Sequence, residues 1–186
     1  DEKSQLYITK SLQFVISEAE NGCMFAQHIY GMLLQNGIGV TKNEDEAVKY
    51  YKLASDQGHA DSQFIVGMCY ADGRGVEKSK KEAVKYYKLA VAQGHSIAQF
   101  ILGGCYASGV GVKVNKEYAM RYNKMSANKG FMCAQTNVAW CYENGVGTAV
   151  NKTEAVKYYS LAAEQGDTSA QPAIDRINSF CRIKPS

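Results

Sequence analysis

The side chains in this sequence that could do chemistry are three histidines, six cysteines and a scatter of methionines and aromatics around a single tryptophan. His28, His59 and His95 would need a serine, cysteine or carboxylate at a matching spacing to act as general bases or to activate a nucleophile. His59 and His95 instead both follow a glycine, in the same Gly-His pair, and nothing near them suggests a dyad. Paired cysteines at CxxC spacing would suggest structural zinc, and no such pair occurs. Cys69, Cys105 and Cys141 stand at equal intervals, with Leu33 one interval before the first. A position shared by leucine and cysteine is a packing position. Equivalent atoms in successive helix pairs lie roughly 10 Å apart, beyond the ~7 Å that a disulfide spans between Cα atoms. This ladder therefore reads as buried, reduced thiols and predicts a reducing, cytoplasmic compartment. Cys23, Cys133 and Cys181 are left as the remaining candidates for pairing. Neither a metal nor a cofactor is expected.

Other signals dissolve in the same way. Gly37/Gly39 could cradle a phosphate, but the pair recurs as Gly73/Gly75, Gly109/Gly111 and Gly145/Gly147, each after a helix and without a P-loop lysine-threonine. Four copies are turn chemistry. Asn151-Lys152-Thr153 is formally a glycosylation sequon, yet it occupies a repeated helix cap. Lys49, Lys85, Arg121 and Lys157 form a cationic ladder with Lys52, Lys88 and Lys124 beside it, but Glu46, Glu82, Glu117 and Glu154 lie within a turn. Local pairing makes that stripe a solvated outer face. A net charge of +3 is too small to indicate nucleic acid. No apolar run approaches the ~20 residues of a membrane span, and the N-terminal residues lack the layout of a secretory signal.

What must position these residues is a 36-residue period, opening at Gly22, Gly58, Gly94, Gly130 and, in part, Gly166. An unbroken period of this length is the mark of a solenoid. It predicts one all-α repeat domain over residues 1–186. An N-terminal helix occupies residues 1–21, full repeats span 22–57, 58–93, 94–129 and 130–165, and a degenerate capping helix covers 166–186. Residues 11–21 align with the back half of later repeats, so the first segment is either a closing helix or the end of an earlier repeat; the chain is compatible with being part of a longer protein. Each repeat reads as two helices. In the first repeat one helix runs from about Met24 to Asn36, its core on Ile29, Tyr30, Leu33 and Leu34, and stops at Gly37. The second starts after Asn43, an N-cap with Glu46 in a capping-box pattern, and buries Ala47, Tyr50, Tyr51 and Ala54. Gln27, Gln63, Gln99 and Gln135 never vary and are expected to bond between repeats. The last unit places Asp175, Arg176 and Asn178 where apolar or small residues stood, as suits a terminal unit with no further neighbour.

Against this repeated scaffold one stripe of the first helices changes from copy to copy: Phe25, His28 and Met32; Asp61, Phe64 and Met68; Ile97 and Phe100; Cys133, Thr136 and Trp140. These positions share a face, offset from the core. Variable residues rich in aromatics and methionine suit recognition of a partner, with tryptophan favoured at hot spots; the other reading is further core between helices. Gly104, where other repeats carry methionine or tryptophan, would leave a pocket beside Trp140.

The unit resembles the Sel-1-like repeats, relatives of the tetratricopeptide repeat. The pattern stands as Ala98, Leu102, Gly103, Tyr106, Gly109, Gly111 and Val112, and as Glu82-Ala83, Tyr86-Tyr87, Ala90 and Gln93-Gly94, with matching residues from Glu154 to Gly166. Departures are few: Asn123 replaces the second tyrosine in repeat three and Ala139 the glycine in repeat four. The resemblance covers residues 22–171. It implies a right-handed α-α superhelix whose concave face is lined by the first helices. It also implies a non-enzymatic adaptor or scaffold that holds a peptide or helix of a partner protein there, on the variable stripe. Some cysteine-rich bacterial members have been assigned β-lactamase activity, so a hydrolase of that type is the alternative. Ser126-Ala127-Asn128-Lys129 matches SxxK, but it closes a second helix, no SDN or KTG accompanies it, and the cysteines are not spaced as in those proteins.

Overall fold

A computed structural model describes the backbone of residues 2–182 and the side chains of residues 9–179. Those residues form ten helices and no strand: α1 (Glu2–Glu20), α2 (Met24–Asn36), α3 (Glu44–Asp56), α4 (Ala60–Asp72), α5 (Lys80–Ala92), α6 (Ser96–Ser108), α7 (Lys116–Ala127), α8 (Met132–Asn144), α9 (Lys152–Glu164) and α10 (Ala170–Arg182). The chain divides after His95 into two compact units. In the first, α1 to α5 pack each on the next; in the second, α6 to α10 do the same. No helix among the described residues is long and apolar enough to cross a membrane.

Local chemistry sets the helix ends. Gly37, Gly73 and Gly145 take left-handed conformations, and their N–H groups return to the carbonyls of Leu33, Cys69 and Cys141. Each second helix starts on a polar cap: Asn43, Ser79, Asn115 and Asn151 accept from the N–H three residues on. The capping box expected from sequence is only half made. Asn43 N–H donates not to Glu46 but to Leu34 O at 3.0 Å, and Ser79, Asn115 and Asn151 likewise donate to Tyr70, Tyr106 and Tyr142 carbonyls. The cap thus ties the loop back to the first helix, and Glu82 and Glu154 are released to pair with Lys85 and Lys157. Two other members of the cationic ladder do something else. Lys52 and Lys124 donate to the hydroxyls of Tyr70 and Tyr142, at 2.8 and 2.9 Å.

The core stripe is shifted from the expected one. Ile29 is 39% exposed, and Tyr30, Leu33 and Tyr50 are half-buried; α2 is sealed instead through Ala26, Gln27, Gly31 and Leu34. The reason is the close approach of the helices within a repeat. Tyr51 lays its ring on Gly31, and Tyr87 lays its ring on Gly67, where a Cβ would come within 2.6 Å of ring atoms. Small residues let a large ring be buried, at ~2–3 kcal/mol for each ring removed from water. Tyr51 and Ala54 are essentially inaccessible, as are Ala47, Ala83, Ala90, Ala155 and Ala162. The glutamines bridge repeats. Gln57 Nε2 donates to Gln27 Oε1 at 2.7 Å and Gln165 Nε2 to Gln135 Oε1 at 2.7 Å, while Gln27, Gln63 and Gln135 donate to the carbonyls of Ala19, Ser55 and Ala127.

Cys69, Cys105 and Cys141 are buried thiols, and burial pushes each of them up from its ordinary value. Cys23 and Cys133 are unpaired as well; the Cys181 side chain lies outside the described residues. In α10, Ala170, Ala173, Ile174 and Ile177 face the core, and Asp175, Arg176 and Asn178 face outward.

Candidate functional site

The variable stripe falls into two kinds of position. One kind bridges repeats. His28 lies 4.4 Å from the His59 ring, Phe64 stacks on His95 at 4.6 Å, Phe100 meets Phe131 at 5.3 Å, and the Thr136 hydroxyl meets the Asp167 carboxylate. Each of these first-helix residues touches the second residue of the next repeat. His28, Phe64, Phe100 and Thr136 are accordingly half-buried. In each pair the two members stand 31 residues apart in the sequence. Phe25, Met32, Asp61, Ile97 and Trp140 are exposed, and Met68 is half-buried. Phe25 adds an edge contact to His59, and Asp61 pairs with His95 at 3.3 Å.

In the first unit these contacts build a polar cluster that the sequence spacing did not suggest. Ser62 Oγ lies 2.9 Å from both His28 Nδ1 and His59 Nδ1. His59 Nδ1 also accepts the Ser62 N–H, capping α4. Because its Nδ1 accepts that N–H, neutral His59 carries its proton on Nε2, and the Ser62 hydroxyl links the two rings. Ser62 is 0% exposed. A hydroxyl without access to substrate serves as a structural link between two repeats. Burial lowers the His28 pKa below its ordinary value, His59 lowers it further and Asp61 opposes the shift; the Tyr51 ring closes its remaining side. For a histidine held low, the stability contribution is present above pH ~6.5 and lost as pH falls through the folded-state value. Melting temperature is therefore expected to drop by a few degrees more between pH 7.5 and 5 in the native chain than in His28→Gln. Equal slopes in the two proteins, measured by circular dichroism, would refute this role for His28.

In the second unit, Trp140, Thr136, Cys133 and Gly104 line one cavity of about 650 Å³. This is the pocket expected beside Trp140, although it is larger than the loss of one side chain at Gly104 explains. Its walls are mainly apolar, and its rim carries Lys116 and Arg176, the latter held by Glu143 at 2.8 Å. Ile97 and Phe100 do not line it. Trp140 is 49% exposed at its edge. The serine of the SxxK match lies elsewhere: Ser126 is fully buried and donates to Ser96 O at 2.8 Å. No group of three metal-ligating side chains comes together among the described residues.

Comparison with known proteins places this architecture. The family model described as Sel1 repeat matches residues 25–59, 60–95, 96–131 and 134–167. Among solved structures, c5321, a protective antigen of uropathogenic Escherichia coli with an SLR fold, is 30% identical with a TM-score of 0.87; the match covers 89% of this chain and 36% of that one. The chain thus spans about a third of that antigen's length. A Sel1 repeat protein from Oxalobacter formigenes is 29% identical with a TM-score of 0.81, over 94% of this chain and 74% of that one. Cysteine rich protein B of Helicobacter pylori shares the fold at 21% identity and a TM-score of 0.53, over 68% of this chain and 90% of that one. A search of curated protein sequences returned no match. The chain belongs to the Sel1 repeat family, whose members generally act as scaffolds for protein–protein interaction.

Proposed function

We propose that this protein is a non-catalytic adaptor that binds a peptide or helix of a partner protein on the variable face of its first helices, the face that the resemblance makes concave. The observation that carries this reading is the Trp140 cavity. An apolar recess with a half-exposed tryptophan at its edge has the make-up of an interaction hot spot. Phe25, Met32, Asp61 and Ile97 present exposed side chains at the other variable positions. His28 and Phe64 in the first unit, and Phe100 and Thr136 in the second, are held by their contacts with the next repeat.

Trp140→Ala is expected to weaken partner binding by about 2 kcal/mol or more, roughly 30-fold, while the far-ultraviolet spectrum stays the same. The check is capture from the native source with intact and Trp140→Ala proteins, followed by titration of whatever the intact chain alone retains. Equal retention of the same proteins by a folded Trp140→Ala would overturn the assignment.

A further inference from the structure

The Trp140 cavity exists because repeat three lacks side chains that its sister repeats use to fill the same place. Between the first and second repeats, Gln35, Ala47, Val48, Tyr51 and Cys69 enclose only about 10 Å³. Their counterparts two repeats on, Ala107, Ala119, Met120, Asn123 and Cys141, line about 650 Å³. The exchange peculiar to repeat three is at Asn123, and Ala107, a small residue shared with Ala71 of repeat two, adds to the opening. Asn123 stands where Tyr51, Tyr87 and Tyr159 place their rings, and Ala107 stands where Gln35 accepts the Tyr51 hydroxyl at 2.8 Å. In repeat four, Glu143 accepts the Tyr159 hydroxyl in the same way at 3.0 Å. Gly104, in place of methionine or tryptophan, widens the mouth.

Asn123 also carries an unmet hydrogen-bonding need. It is 3% exposed, and its Oδ1 accepts no hydrogen bond among the described residues. Its Oδ1 lies over Gly103, the counterpart of the glycines on which the sister tyrosines pack, with essentially no accessible surface, so a donor in the cavity meets it through a turn of the amide. A buried acceptor without a donor costs on the order of 1–3 kcal/mol, so a native chain that keeps one in a cavity wall has reason to meet a donor there.

We infer that this cavity is a socket for a tyrosine side chain of the partner protein, its ring taking the place left by the missing scaffold tyrosine and its hydroxyl donating to Asn123 Oδ1. The inference rests on the reading of the first-helix face as the partner site. It adds the chemistry of the residue received. The volume lies within the ~300–1,000 Å³ of ligand pockets, the walls suit a ring, and the one unsatisfied acceptor calls for a donor that phenylalanine lacks.

The test uses N-acetyltyrosinamide as the probe, with N-acetylphenylalaninamide beside it. Titrated into the isotope-labelled chain, the tyrosine probe is expected to shift the Asn123 side-chain amide and Trp140 indole resonances saturably, at least fivefold more tightly than the phenylalanine probe. Asn123→Tyr, which restores the sister residue, abolishes the saturable Trp140 indole shift; Ala107→Gln, which narrows the same space, weakens both shifts and serves should the first variant fail to fold. Absence of saturable shifts, an unchanged Trp140 indole shift in a folded Asn123→Tyr, or equal affinity for the two probes would overturn the socket. The captured partner separates the two readings. Binding that needs Trp140 but tolerates Asn123→Tyr overturns the socket and leaves the adaptor reading standing. A seated tyrosine probe with partner binding indifferent to Trp140→Ala supports the socket and overturns the adaptor reading.

Discussion

Gly147→Ala is expected to destabilise the second unit by about 2–5 kcal/mol, a large part of the ~5–15 kcal/mol that holds a typical domain together. Two costs combine. Gly147 has φ +68°, where an L side chain costs ~1–2 kcal/mol. A Cβ there would also be driven into the Lys116 peptide, within 2.6 Å of its carbonyl carbon and 3.2 Å of Glu117 N. That peptide opens α7 and cannot yield as a side-chain tip can, so overpacking adds ~1–3 kcal/mol. Gly75 is in the same position against Glu44 in the first unit. Gly130→Ala is the matched control, since Gly130 has φ +85° but nothing within 4 Å of its Cβ position; it should lose only the conformational term. Trp140, the single tryptophan, lies in the second unit and reports its unfolding in denaturant. Midpoints that place Gly147→Ala within about 1 kcal/mol of Gly130→Ala would show that the contact is not limiting.

That contrast also shows what could be read from residue order. Glycines at fixed intervals announced the helix ends, the capping residues announced the helix starts, and both formed where expected. The turn glycines look identical in sequence, yet Gly75 and Gly147 press on the backbone of a preceding helix while Gly22 and Gly130 meet open space. Only tertiary packing separates them. The variable stripe behaves similarly. Its residues share one helical face by periodicity, but whether a side chain turns toward solvent or toward the next repeat depends on a residue 31 positions on. His28 therefore disappears into a cluster with His59 and Ser62, while Phe25, on the same face, stays exposed. Asn123 was legible as a departure from the repeat, and Gly104 as a gap beside Trp140. That Asn123, Ala107 and Gly104 open one space together follows only from how α6, α7 and α8 pack.

The second large effect concerns the glutamines, and it runs in opposite directions in two repeats. Gln135 is 4% exposed; its amide donates to Ala127 O at 3.3 Å and its Oε1 accepts from Gln165 at 2.7 Å. Gln135→Ala removes both bonds, leaves a buried carbonyl without this donor and opens a small void, for a loss of about 2–4 kcal/mol. Gln165→Ala takes the donor from Gln135 Oε1 but keeps the bond to Ala127 O and the packing of the buried side chain, so it should cost about 1–2 kcal/mol, less than Gln135→Ala. The excess of the first over the second is then the price of desertion at the buried carbonyl, and a double-mutant cycle isolates the coupling between the two amides. Repeat three supplies the converse experiment. Lys129 stands where the other repeats carry the donor glutamine, and Gln99 Oε1, fully buried, accepts no hydrogen bond among the described residues. Lys129→Gln returns the donor and should raise stability by about 0.5–1.5 kcal/mol. A loss from Lys129→Gln, or a Gln135→Ala no worse than Gln165→Ala, would show that helix packing, and not the amide bridge, sets the register between repeats. The predicted pair of signs is a stringent check, because a generic effect of mutating a solenoid would lower stability in both repeats.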